Sequence, residues 1–77
     1  MAPPMIGNWT VWVHAARPYT IHGDLYYECH VAHGDDAHQV FVVRIPQHAI
    51  AGEPLPGERV TLTFLMGQVT GATREMA

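Results

Sequence analysis

The segment running Pro54, Leu55, Pro56, Gly57, Glu58, Arg59, Val60, Thr61, Leu62, Thr63, Phe64, Leu65, Met66, Gly67, Gln68, Val69, Thr70, Gly71 constrains the fold more than any other part of this chain. A Pro-Gly turn feeds strict alternation, with Val60, Leu62, Phe64 and Met66 on one side and Thr61 and Thr63 on the other. A period of two is that of a half-buried strand, because successive side chains of an extended chain point to opposite faces. Gly67 permits a sharp turn or bulge into a short strand around Val69, and Gly71 closes that strand. The segment reads as a hairpin, with Met66 expected on the core side.

Seventy-seven residues make one domain near the lower size limit for unaided folding. A chain of this size buries only about 60% of its unfolded surface, so the core must be efficient or shared. The 48% apolar content is that of a globular chain, and 14% charged residues leaves a surface prone to association. We therefore expect a homo-oligomer or a subunit of a larger protein complex. Seven carboxylates against four arginines give a net charge of −3, so the overall field does not attract nucleic acid and any such binding must be local. All four cations are Arg, and the chain has neither Lys nor Ser. A composition bias accounts for this more simply than selection for planar recognition of phosphate or bases.

The single Cys29 excludes an internal disulfide, and the N-terminus has neither the cationic nor the apolar part of a signal peptide. No stretch has the length and apolarity of a transmembrane helix, so the expected location is cytoplasmic, away from membranes.

Residues 1–8 read as a flexible arm, 9–73 as the β domain and 74–77 as a tail. Trp9 to His14 places Trp9, Val11 and Val13 on one face and Thr10, Trp12 and His14 on the other, and Pro18 is expected to end that strand. Tyr19 to Val31 is a long extended segment in which Gly23-Asp24 is either a bulge or a turn. Gly34-Asp35-Asp36 marks the next turn, and Gln39 to Ile45 returns as a strongly apolar strand. With Tyr27, Cys29 and Val31 opposite Ile45, Val43 and Phe41, the apolar residues share a face and Glu28 falls opposite Arg44, an attractive pair. Pro46 to Gly52 fits a short helix or a single turn, with Pro in its first turn and Gly as its cap.

The order is three strands, a short helical link and two strands. It resembles the OB-fold, as does the Pro56-Gly57-Glu58-Arg59-Val60 approach to the fourth strand, which is similar to the start of many OB strands. The resemblance covers residues 9–73 and implies an all-β, five-stranded barrel with a helical link between strands three and four. An SH3-like barrel or a dimeric open sheet carries much the same pattern.

No catalytic signature stands out, and we expect no enzyme activity and no cofactor. Cys29 and His30 are adjacent on a strand and face opposite ways, so they cannot form a nucleophile-base pair. His30, His33 and His38 with Asp35 or Asp36 match no standard zinc spacing, and solvated side chains are the simpler reading, so no metal site is expected. The outward aromatics are more suggestive. Single-strand-binding OB proteins stack bases on such rings while Arg meets phosphate, so the resemblance implies a single-stranded DNA or RNA interface at Trp12, Tyr26 and Arg44, with Arg17 and Tyr19 in the loop between the first two strands. The same face is equally suited to oligomerisation or to docking on a larger complex.

Overall fold

The computed structural model describes residues 4–33 and 39–75. It is all-β: β1 (Gly7–Ile21), β2 (Asp24–His33), β3 (Val40–Pro46), β4 (Arg59–Leu65) and β5 (Gln68–Arg74), with one 3-10 turn over Gln47–Ala49 between β3 and β4. All neighbouring strands are antiparallel and form a single sheet in the order β3-β2-β1-β4-β5. The expected helical link is thus reduced to one turn, with Pro46 standing just before it in an extended conformation.

Pro18 does not end the first strand. The N-terminal half of β1, Gly7 to Trp12, pairs with β4, and Val11 to Ile21 pairs with β2. Beyond Val13, β2 is the one strand that pairs with β1 among the described residues, which is where a residue without an N–H donor is tolerated. Between the halves the register shifts at His14. There the Val13 N–H donates to Glu58 O at 2.8 Å and Val13 O accepts from Gly57 N at 2.7 Å, so the Pro-Gly turn is tied to the point where β1 changes partners. Arg17 and Tyr19 therefore lie within a strand and not in a loop.

Gly23 belongs to a turn. His22 and Gly23 have φ of +51° and +86°, and Ile21 pairs directly with Asp24, the geometry of a two-residue hairpin that requires left-handed backbone at both positions. Met66 and Gly67 repeat this with φ of +53° and +78° between β4 and β5. Met66 consequently leaves the alternation and is 80% exposed, contrary to its expected core position, while Val60, Leu62 and Phe64 are buried as expected. The strand ends one residue before the apolar pattern does, because the turn takes Met66. β5 also continues past Gly71, with a second register shift opposite Thr63 and Phe64.

The core lies on one face of the curled sheet: Trp9, Val11 and Val13 of β1, Tyr27, Cys29 and Val31 of β2, Val43 and Ile45 of β3, Val60, Leu62 and Phe64 of β4, and Val69 of β5. Trp9 is at its aromatic centre, edge-on to Phe41 and Phe64 at 5.4 and 6.1 Å and stacked on His33 at 5.0 Å. The curl brings β3 and β5 near each other, yet they are not hydrogen-bonded neighbours. The expected closed barrel is therefore an open sheet. Closure requires pairing of the two edge strands, here β3 and β5. Here β3 ends on Pro46, which has no donor, and β5 carries the irregularity near Thr70, and both features weaken the facing edges.

At the ends of the domain, β1 already includes Gly7 and Asn8, and Met5 O accepts the Gly67 N–H at 2.8 Å, so the last residues of the expected arm join the sheet. Arg74 is the last residue of β5 and Glu75 N donates to Arg59 O at 3.0 Å.

Candidate functional site

Pairing of β1, β2 and β3 arranges the face opposite the core into rows. Tyr19, Tyr26 and Pro46 form one row, Arg17, Glu28 and Arg44 the next, Ala15, His30 and Val42 the third, and Trp12, Ala32 and Val40 the last. Four of the five site residues read from the sequence, Arg17, Tyr19, Tyr26 and Arg44, thus occupy two adjacent rows. Trp12 does not join them. Ala32, its β2 partner, is six residues from Tyr26, roughly 20 Å along a strand.

The Tyr19 and Tyr26 rings are 6.0 Å apart and tilted by 32°, and the Tyr19 hydroxyl is buried with no hydrogen-bond partner among the described residues. Glu28 stands opposite Arg44, as the register argument requires, but its carboxylate bonds Arg17 on the other side, Oε1 to Nη2 at 3.1 Å. Arg44 is exposed and has no ion-pair partner among the described residues. The row therefore holds two cations and one carboxylate, a local excess of positive charge on a negative molecule.

Beside these rows, where β3 and β5 fail to meet, a groove of about 800 Å³ opens. Tyr26, Arg44, His48, Gln68 and Thr70 contribute its polar lining, with Phe64 and Val69 among its apolar lining residues. His48 is brought there by the 3-10 turn and Gln68 by the tight β4–β5 turn, placements that depend on the opening of the sheet. At the far end, the Arg59 guanidinium lies 5.3 Å from the Trp12 ring centroid and also pairs with Glu75 at 2.9 Å. Arg59 was legible in principle: one residue before Val60 on an alternating strand, it had to face away from the core, as Trp12 does.

Cys29 is fully buried while His30 points outward, so no thiolate-imidazole pair exists at these positions. Burial, reinforced by the charges of Glu28 and Glu53, pushes the thiol up to about 11 from its ordinary 9.0. The folded protein retains this proton where the unfolded chain loses it, so Cys29 lowers stability as pH rises from 9 towards 11. Cys29→Ala should therefore flatten the alkaline loss of stability relative to wild type, measured by urea unfolding at pH 8 and pH 10.5. Equal slopes in the two proteins would reject this assignment.

No group of three His, Cys, Asp or Glu suited to a metal occurs among the described residues. His30 is exposed and His33 is stacked on Trp9, while Asp35, Asp36 and His38 lie outside the described residues. No helix among the described residues is long and apolar enough to cross a membrane. Compared with protein-family models, curated proteins and solved structures, the chain gives no match.

Proposed function

We propose that this protein is a non-enzymatic module that binds single-stranded DNA or RNA on the outer face of β1, β2 and β3. The observation that carries this reading is the Arg17–Glu28–Arg44 row lying against the Tyr19–Tyr26 row and bordering the groove. Aromatic rings give a base a stacking surface, and an arginine without a carboxylate partner gives phosphate a contact that costs no ion pair. The strand order, with β1 between β2 and β4 and with β3 and β5 left facing each other, supports the likeness to an OB-fold whose strand-two and strand-three face and adjoining turns receive the ligand. Affinity on this reading is modest and local, since the whole chain carries a charge of −3.

Anisotropy titration of labelled oligo-dT and oligo-rU at two salt concentrations tests it. Tyr26→Ala should lose about 1–3 kcal/mol of binding with little sequence dependence. Arg44→Ala should weaken binding and reduce the log–log salt slope by about 0.7, one phosphate contact on a single strand. Glu28→Gln is the control for disturbed register, because Arg17 as well as Arg44 adjoins that carboxylate. A wild-type protein that binds no single strand at low salt would sink the proposal.

A second reading, an assembly subunit, is favoured by the edge strand β3. Val40 and Val42 are 45% and 58% exposed on a strand whose outer edge has no hydrogen-bonded neighbour among the described residues. Such edges template pairing with another chain. Sedimentation at micromolar concentration distinguishes the two: a dimer dissociated by Val42→Lys supports assembly through β3, and a monomer that binds oligonucleotide supports the ligand face.

A further inference from the structure

The far end of the outer face carries a second aromatic platform. Trp12 is 43% exposed, although the six side chains of β1 and β4 that flank it on the core side are among the most buried in the protein. Arg59 lies over its ring and is itself held by Glu75. A guanidinium stacked on an indole and anchored by a carboxylate fixes the ring plane, so Arg59 acts as a positioning residue for Trp12. Between this platform and the tyrosine row lie Arg17, Glu28 and Arg44, then Ala15, His30 and Val42. Glu28 is the one carboxylate in those two rows, and Arg17 already neutralises it. Among the described residues the path between the platforms therefore carries no uncompensated negative charge, and Ala15 keeps it low.

We propose that a bound single strand spans both ends of the face. One base stacks at Tyr19 and Tyr26 with a phosphate on Arg44, the chain continues past Arg17 and His30, and a later base stacks on Trp12. This rests on the nucleic-acid reading of the Tyr26–Arg44 end and adds a minimum ligand length to it. The separation of roughly 20 Å corresponds to about six nucleotides at 3.4 Å per stacked nucleotide. That lies within the 4–16 nucleotides an OB-type domain covers.

The test is the dissociation constant of dT4, dT8 and dT12 for wild type, Trp12→Ala, Trp12→Phe, Arg59→Gln and Tyr26→Ala at low salt. In wild type, lengthening from dT4 to dT8 should tighten binding about tenfold, the contribution of one added stacked base. Trp12→Ala should cut that gain to about twofold or less, and Trp12→Phe, which keeps a ring, should retain most of it. Arg59→Gln should reduce the gain without changing the salt slope, since Arg59 holds the ring and touches no phosphate. A gain that survives Trp12→Ala, or no gain in wild type, overturns the two-platform path even when Tyr26→Ala weakens every length. Binding of no oligomer at any length overturns this path and the Tyr26–Arg44 site together.

Discussion

Replacing Phe64 with alanine should destabilise the protein by about 3–5 kcal/mol, whereas Met66→Ala should change stability by no more than about 0.5 kcal/mol. Both residues stand in one alternating run and would share a face if β4 continued. Phe64 is 4% exposed and edge-on to Trp9, so truncation removes an aromatic contact and leaves a void that Leu62 and Val69, held in their own strands, cannot fill. Met66 sits at φ +53° in the hairpin turn with its side chain in solvent. For a chain of 77 residues the whole folding free energy is only about 4–12 kcal/mol, so Phe64→Ala removes a large share of it. Urea unfolding with an unchanged m-value measures the difference. A cost below about 1 kcal/mol for Phe64, or equal costs for both residues, would contradict the burial and turn geometry described here.

That contrast also marks how far the sequence could be read. Alternation identified the core faces of β1 and β4, and the register of β2 against β3 followed from matching Tyr27, Cys29 and Val31 with Ile45, Val43 and Phe41. These are local patterns, or patterns between strands joined by one short connection. Pro18 misled because a proline is excluded only where a strand has neighbours on both sides, and that depends on β4, some forty residues away, leaving β1 after Trp12. Gly23 and Gly67 signalled irregular backbone, but turn and bulge differ in pairing, which one residue type does not encode.

The candidate site was legible to the same degree. Tyr26 and Arg44 follow directly from the β2–β3 register, and Tyr19 and Arg17 join them because β1 continues as a strand through Pro18. The separation of Trp12 from that group was hidden, since outward parity says which face a residue takes and nothing about its distance along it. The groove with His48 and Gln68 was hidden for a further reason: it exists because β3 and β5 do not pair, and the absence of a long-range pairing leaves no local mark.

Arg74→Ala should cost about 1.5–3 kcal/mol, the range for hydrogen bonds to charged groups, and Arg74→Lys should recover less than half of that loss. The sequence places Arg74 at the start of a tail, yet its guanidinium holds three points of the connection between β3 and β4 at once. Nε donates to Glu58 Oε1, Nη1 to the carbonyl of Ala51 and Nη2 to the carbonyl of Glu53 at 2.8 Å. Glu58 in turn accepts the Leu55 N–H through Oε2 at 2.9 Å. The end of β5 is thereby clamped to the connection between β3 and β4, which carries His48 into the groove and Ile50 into the core. Lysine keeps the charge but lacks the planar fork that reaches two carbonyls and a carboxylate together. The side chains of Arg74 and Glu58 are only 31% and 15% exposed, so alanine leaves the carboxylate with little water to replace its partner. If the clamp acts as described, Arg74→Ala should also speed amide exchange at Leu55 and at Gly57, whose N–H reaches Val13 O, more than at β2. A loss below about 0.5 kcal/mol, with exchange unchanged in 51–58, would show that these contacts are surface pairs and that the connection is held by Ile50 and the buried Pro54 alone.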